Sequence, residues 1–188
     1  MLDIVRERSP ELLHLPGAAE VAKRAGVSER TVFRHFADLD SLFLAAASRL
    51  RPTQDKYLGP RPAGADVTDR IAAIVRLRSK LYEEIAPVRR VTIHLSHTQP
   101  VVVKQLAQGH AAARAQIADV FAPELSRLSS TRRPILLDAL DLATSWSSWD
   151  TLRTLQGCST DRTRKVITEA LTALLATVPR SKARVGSR

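Results

Sequence analysis

Apolar residues recur three and four positions apart along most of the chain, which is the spacing of one face of an α-helix. The clearest example is the run of Val166, Ile167, Ala170, Leu171, Leu174, Leu175 and Val178. Residues 91–97 alternate apolar and polar residues as a strand would, but no second strand is available to pair with them, and a single strand is not stable. We therefore expect a short helix there and an all-α protein.

Helix-breaking residues divide the chain into two parts. The stretch between residues 52 and 66 contains Pro52, Gly59, Pro60, Pro62 and Gly64. This is the composition of a linker. We therefore predict a head of residues 1–51, a body of residues 66–178 and a disordered basic tail at residues 179–188.

The periodicity predicts four helices in the body. The first opens at Asp66 or Thr68 and is closed by Pro87, and the second starts at Pro100. The third is the longest, over residues 132–156, and its apolar residues occupy two faces, as in a helix that is buried on more than one side. The fourth carries the apolar run described above.

The chain has a formal charge of +10 and a pI near 10.8, which favours a polyanionic partner such as nucleic acid. The charge is not concentrated in the head. Residues 1–51 contain eight lysines and arginines against seven aspartates and glutamates. A few well-placed side chains, rather than a general basic surface, must therefore hold a nucleic acid.

The composition disfavours membrane and secreted proteins. The single cysteine, Cys158, excludes an internal disulfide and a cysteine-rich zinc site. No apolar run reaches the ~18 residues of a membrane span, and the N-terminus lacks the pattern of a signal peptide. We expect a cytoplasmic protein.

Metal binding and catalysis are also disfavoured. His94 and His97 could share a helix face as metal ligands, with His110 further on, but they lack carboxylate or cysteine partners at metal spacing. Hydrogen-bonded or exposed histidines are the favoured interpretation. No nucleophile, phosphate-loop or dinucleotide motif occurs, so we predict neither a metal or cofactor nor an enzyme.

The segment from Ala22 to Phe36 reads A-K-R-A-G-V-S-E-R-T-V-F-R-H-F, and Leu42 follows six residues later. Small Ala22 and Ala25 allow two helices to cross closely, and Gly26 permits the turn between them. The segment closely resembles the helix-turn-helix of the TetR family of regulators, whose usual form is A-x-x-A-G-V-S-x-x-T-x-Y-x-H-F.

The resemblance implies that the second helix of the motif lies in the major groove of DNA. Ser28 is placed to cap this helix, and Asp38 is placed to cap the next one. The residues that the family would place on phosphates are Ser28, Thr31, Arg34 and His35. The residues that it would place on bases are Glu29, Arg30 and Phe33. Arg30 is the main candidate for specificity, because a guanidinium can bind O6 and N7 of guanine together.

The sequence departs from the family pattern at three places. Phe33 replaces the usual tyrosine and so removes a phenolic hydroxyl that would contact phosphate. Leu39 stands where a lysine often follows the H-F pair. Pro10 interrupts the fifteen residues before Pro16, so we expect the first helix of the family to be short or truncated and its basic arm to be missing.

The C-terminal part resembles the last two helices of many such regulators more distantly, notably in the W-S-S-W-D-T-L-R stretch from Trp146 to Arg153. In the family these helices form a four-helix interface between two subunits. The long apolar run agrees with this, because large exposed apolar patches are unusual on monomers. The residues that we predict at a homodimer interface are Leu142, Trp149, Leu152, Ile167, Leu171 and Leu174.

The middle of the chain matches the family only in being helical, which suits a domain that diverges with its ligand. Pockets orient their ligands with a few polar or aromatic groups on otherwise apolar helices. The candidates for such groups are Tyr82, Gln105, His110, Trp146 and Trp149. For each of them, a place in the core or at an interface is the alternative interpretation.

The sequence therefore predicts a dimeric TetR-type transcriptional regulator, a repressor that a small-molecule effector releases from a palindromic operator in double-stranded DNA. The alternative is a helical small-molecule-binding protein that has lost DNA binding, which the short first helix and the weakly charged head favour. A helical enzyme is the third interpretation, opposed only by the absence of catalytic motifs.

Overall fold

The computed structural model describes residues 17–49, 51–62, 66–97 and 100–179. All regular elements within these ranges are helical, which confirms the predicted all-α fold. In chain order they are α1 (Ala18–Ala25), α2 (Glu29–His35), α3 (Leu39–Ser48), α4 (Arg51–Leu58), α5 (Val67–Ser96), α6 (Pro100–Val120), α7 (Ala122–Leu125), α8 (Arg132–Ala143), α9 (Trp146–Asp150), a π-helical segment (Thr151–Leu155) and α10 (Thr160–Ala176). None of these helices is both long and apolar enough to cross a membrane. The predicted short first helix and residues 180–188 of the predicted tail lie outside the described residues.

The chain packs as two compact units. The first unit comprises the residues up to Gly59 together with Lys80–Ala111, and the second comprises Pro60–Ser79 together with the residues from Ala112 onward. The long helices α5 and α6 each contribute to both units. The domains of residues 1–51 and 66–178 stay a prediction.

The first unit contains two apolar clusters that share α3. One consists of buried Val21, Ala22, Val32 and Leu42, with half-buried Phe36 and Leu39 packed against them. The other consists of buried Val91 of α5 and Val102 of α6, against which Leu39, Leu44 and Leu106 pack. Leu39 contacts both clusters, so α3 links the N-terminal helices to α5 and α6.

The predicted linker over residues 52–66 is wrong at its start, because helix α4 occupies that part of the chain. Pro52 is the second residue of α4, where its missing N–H has no intrahelical acceptor to lose. Glu84 of α5 accepts hydrogen bonds from Tyr57 Oη at 2.9 Å and from Thr53 Oγ1 at 3.4 Å. These contacts across 27 and 31 residues of chain stabilise a helix that its local composition disfavours.

The predicted end of a helix at Pro87 is also wrong, since α5 continues to Ser96. Pro87 lacks an N–H and so removes one backbone hydrogen bond from the helix. Ile85 and Val88 are buried on either side of it, and their packing offsets this loss. The stretch over residues 91–97, predicted as a short helix, is helical to Ser96 as the last part of α5.

The predicted long helix over residues 132–156 is divided into three pieces. Helix α8 ends at Ala143, and Ser145 has an extended backbone whose side chain accepts a hydrogen bond from the Ser148 N–H at 3.1 Å. This cap starts α9, and the π-helical segment follows. Gly157, with φ of +61°, closes the region. The break after Ala143 contains neither proline nor glycine, and its local signal is the capping Ser145, which the sequence analysis did not use.

The second unit buries its charged groups in hydrogen-bonded pairs. The Arg70 guanidinium donates to Glu124 Oε1 at 2.5 Å, and both side chains are about nine-tenths buried. Arg78 donates to Gln116 Oε1 at 2.7 Å, and Gln116 Nε2 donates to the carbonyl of Pro60 at 2.6 Å. Such partners offset the cost of removing charge from water.

Leu140 of α8 is fully buried, whereas Ile135 of the same helix is 59% exposed. Leu140→Ala removes buried methyl groups and leaves a cavity, so it should lower the free energy of unfolding by about 2–5 kcal/mol. Urea unfolding followed by circular dichroism at one protein concentration measures this change. The control Ile135→Ala should change it by less than about 0.5 kcal/mol. Equal losses in the two variants would contradict the orientation of α8.

Candidate nucleic-acid interface

The turn between α1 and α2 consists of Gly26, Val27 and Ser28. Gly26 has φ of +66°, in the left-handed region that glycine enters without the clash of a Cβ. The Gly26 N–H donates to the Lys23 carbonyl at 3.3 Å, and the Val27 N–H donates to the Ala22 carbonyl at 3.0 Å. This is the Schellman pair of bonds. The turn that was predicted at Gly26 is confirmed, and it directs the chain from α1 into α2.

Side-chain caps fix the starts of the next two helices. Ser28 Oγ accepts a hydrogen bond from the Thr31 N–H at 3.2 Å and lies 3.0 Å from Thr31 Oγ1. Asp38 Oδ1 accepts from the Ser41 N–H at 2.7 Å. Hydrogen bonds from the Ser41 side chain and backbone hold the pKa of Asp38 below its ordinary value. Both predicted caps are confirmed.

One side of α2 is anchored in the first apolar cluster. Val32 is buried there with Val21 and Ala22 of α1 and Leu42 of α3. Because successive helical residues point in different directions, the side chains on the other faces of α2 turn away from this cluster. The prediction that Ala25 joins Ala22 at the helix crossing is wrong, since Ala25 is exposed at the last position of α1.

The residues predicted to contact DNA lie on and beside α2 and are mostly accessible. The exposed ones are Ser28, Glu29, Arg30, Phe33, Arg34 and His35, and Thr31 is half-buried. Phe33 is 46% exposed, and Val27, which the sequence analysis did not select, is 42% exposed. We call the residues from Val27 to His35, apart from buried Val32, the α2 surface. It combines cationic, hydroxyl, carboxylate and apolar groups on a helix of two turns.

The residues predicted to bind a small molecule are divided between the two units. In the first unit, Tyr82 is buried, Gln105 is half-buried and His110 is exposed. In the second unit, Trp146 and Trp149 are buried. Their joint role in one pocket stays a prediction.

The residues predicted at a dimer interface fall into two groups. Three of them are buried by their own chain, namely Trp149, Ile167 and Leu171. The other three keep exposed surface, namely Leu142, Leu152 and Leu174. Leu142 is the most accessible of these, at 65%. A partner subunit could therefore contact the three leucines with exposed surface directly. The three buried residues belong to the core of the second unit of their own chain.

An open groove of about 390 Å³ lies among the C-terminal helices of the second unit. It is lined by Ala143, Ser147, Ser148, Thr151, Leu152, Val166, Ile167 and Ala170. Val166, which the sequence analysis did not select for the interface, is 41% exposed at this groove. Its position in the apolar run was the available signal. We call this feature the C-terminal groove.

The histidines and the cysteine show no arrangement for chemistry in the part of the chain that is described. No three histidine, cysteine or carboxylate side chains are grouped there so as to hold a metal ion. His97 and His110 are exposed, and the side chain of His94 lies outside the described residues. Cys158 is a buried free cysteine.

Residues 17–46 match the family model described as bacterial regulatory proteins, tetR family. The match covers α1, the turn, α2 and most of α3, and so includes every residue of the α2 surface and of the cluster that holds it. No curated protein matches the chain. The resemblance that the sequence motif indicated is thereby confirmed for the DNA-binding part.

A Cβ added at Gly26 would meet no atom within 4 Å, so space does not oppose a substitution there. The left-handed backbone does oppose it, by about 1–2 kcal/mol for an ordinary residue. Gly26→Ala should therefore lower the free energy of unfolding by about that amount, and Gly26→Asn should lower it less, because asparagine tolerates this conformation. Thermal melting of the full chain measures both. An unchanged melting temperature in Gly26→Ala would argue against the left-handed turn.

Proposed function

We propose that this chain, a DNA-binding transcriptional regulator that carries the helix-turn-helix of the tetR family, is a homodimeric repressor. In this proposal, α2 of each subunit enters the major groove at one half of a palindromic operator, and a small-molecule effector in the body releases the DNA. The observation that carries the proposal is the α2 surface, which is accessible on a helix that Val32 anchors from the opposite side.

The first part of α2 supplies the side chains for reading bases. Arg30 can donate two hydrogen bonds to O6 and N7 of one guanine, and Glu29 can accept one from N4 of cytosine. Exposed Phe33 can contact the methyl group of thymine, for which a tyrosine hydroxyl would not be needed. These contacts distinguish bases because the major groove presents a different pattern for each base pair.

The remaining residues of the α2 surface position the helix on the DNA backbone. Arg34 and His35, near its end, can donate to phosphate oxygens, as can the hydroxyls of Ser28 and Thr31 at its start. The two hydroxyls lie 3.0 Å apart, and either can donate to the other or outward. Because the head carries almost no net charge, these few contacts set its affinity for the backbone.

A second copy of the chain is the proposed occupant of the C-terminal groove. The groove is concave and apolar, and exposed Leu142 and Val166 lie on the helices that form it. A two-fold arrangement lets the same surface serve both subunits. It also links two heads that each contact only a few base pairs, so that the second half-site is bound at a high effective concentration.

Leu39 offers a path by which an effector could release the DNA. It contacts the cluster that holds α2 and also the cluster of Val91 and Val102. A displacement of α5 or α6 in the first unit would therefore reach the helices of the head through α3. If the effector prefers the displaced arrangement, effector binding and operator binding weaken each other by the same factor.

An electrophoretic mobility shift with DNA from upstream of the coding region of this protein tests the proposal. A shift that competitor DNA of unrelated sequence does not remove would support a specific operator. Absence of any specific shift, even at low salt, would favour the alternative of a helical small-molecule-binding protein without DNA binding.

Arg30→Ala should weaken operator binding by about 1–3 kcal/mol and reduce the preference at one base pair. The reason is the loss of a bidentate contact with a base. The control His35→Ala removes a backbone contact and should weaken binding to all sequences alike. Titrations against operators with single base-pair changes separate the two effects. Unchanged relative affinities in Arg30→Ala would show that Arg30 does not read a base.

Leu142→Glu should give monomers that bind the operator at least about tenfold more weakly, although the α2 surface is untouched. The glutamate would place a charge in an apolar interface, where it loses its hydration. Light scattering gives the oligomeric state, and mobility shifts give the affinity. The control Thr172→Glu adds the same charge at an exposed position of α10 outside the groove and should remain dimeric. A wild-type chain that is monomeric while it binds the operator tightly would contradict the dimer.

A further inference from the structure

We propose that Arg89 of α5 binds the carboxylate of an organic monoanion, with Tyr82 beside it, and that this anion is the effector. The inference rests on the proposed function, because it names the chemical class of a ligand that such a regulator would sense. It stands on the position and the contacts of one arginine in the first unit.

Arg89 is half-buried, and its Nε, which is buried, has no hydrogen-bond partner among the described residues. None of the ion pairs among the described residues includes Arg89. The buried arginines of the second unit, Arg70 and Arg78, also have an Nε without a partner, but their terminal nitrogens are hydrogen-bonded. Arg70 donates to a carboxylate at 2.5 Å, and Arg78 donates to Gln116 at 2.7 Å and to a backbone carbonyl at 2.9 Å.

An unpaired guanidinium inside a protein is unfavourable, because it loses hydration without gaining acceptors. Burial lowers the pKa of Arg89 below its ordinary value, while the nearby Tyr82 acts in the opposite direction. Arginine nevertheless remains protonated in proteins. The positive charge therefore stays in place, and no acceptor among the described residues balances it, so an external anion can take that role.

The acidic residues closest in sequence on α5 do not supply that acceptor. Glu83 is exposed. Glu84 accepts hydrogen bonds from Tyr57 and Thr53 of α4, and Lys56 lies 4.0 Å from the same carboxylate. Glu84 is thus directed toward α4 and engaged there, and no ion pair among the described residues joins Glu83 or Glu84 to Arg89.

The residues on the same side of α5 indicate the chemistry of the rest of the ligand. Tyr82, Ile85 and Arg89 are spaced by three and four positions and so share one helix face. Tyr82 and Ile85 are both buried. A guanidinium fork matches the two oxygens of a carboxylate, and a single fixed cation matches a single negative charge. An apolar group attached to the carboxylate would suit the tyrosine ring and the isoleucine.

The place of Arg89 also fits a regulatory role. Val91, two residues further along α5, belongs to the cluster against which Leu39 and Leu44 of α3 pack. An anion that draws the Arg89 guanidinium toward itself would act on the segment of α5 that contacts α3. Helix α3 directly follows α2. The ligand and the DNA would therefore both act on the packing of α3.

Thermal melting of the full-length wild-type chain with benzoate or octanoate tests the proposal, at constant ionic strength and with benzamide as the neutral comparison. At least one of the two carboxylates should raise the melting temperature in a saturable manner, and benzamide should not. Arg89→Met keeps most of the side-chain volume and should weaken the apparent affinity at least about tenfold. Arg89→Lys, which keeps the charge without the fork, should give an intermediate loss.

Arg90→Met is the matched control, because it removes the same charge from the neighbouring position and should leave the carboxylate effect intact. The proposal is overturned if neither carboxylate raises the wild-type melting temperature, or if the rise is the same in Arg89→Met. Neither measurement involves DNA. A failed anion site with an intact operator shift would remove only this inference, whereas a bound anion without any operator shift would remove the repressor and leave the anion-binding protein.

Discussion

The burial of Val32 against α1 and α3 is the contact on which the α2 surface depends. A helix of two turns is not stable by itself, because so few hydrogen bonds repay its nucleation. The Schellman turn at Gly26 and the cap at Ser28 satisfy the backbone where α1 ends and α2 begins. Val32 then attaches the helix to the cluster of Val21, Ala22 and Leu42. With stability secured from one side, the other faces of α2 are available for recognition.

The two units differ in the kind of interactions that hold them together. The first unit combines the helix-turn-helix with residues 80–111, and Leu39 connects its two small apolar clusters. Because both clusters contain Leu39, a displacement in one cluster also affects the packing of the other. Such an arrangement suits the transmission of a signal. The second unit buries charged groups and amides that bond to one another, as at Arg70 and Gln116, although some of their atoms, such as Arg70 Nε and Glu124 Oε2, have no partner.

Local signals in the sequence were sufficient wherever neighbouring residues satisfy one another. Gly26, Ser28 and Asp38 were predicted as turn and caps because their bonds reach only three to five residues away. The residues of the α2 surface were selected mainly from the family resemblance, and their contacts with DNA stay a prediction. Reasoning from local signals failed at Pro52 and Pro87, where proline was read as a boundary. Packing over long stretches of chain sustains both helices there.

The sequence by itself determined the helical class through periodicity and the turn and caps around α2 through short-range hydrogen bonds, and its resemblance to a family identified the helix-turn-helix. Only the tertiary structure decided which of the predicted interface residues face the interior. Leu171 is fully buried and Leu142 is 65% exposed, although both looked alike as interface leucines. It also decided that the Nε of half-buried Arg89 has no hydrogen-bond partner among the described residues. Burial depends on contacts with residues far away in the chain. The spacing of residue types along the sequence does not show which of these residues are in contact.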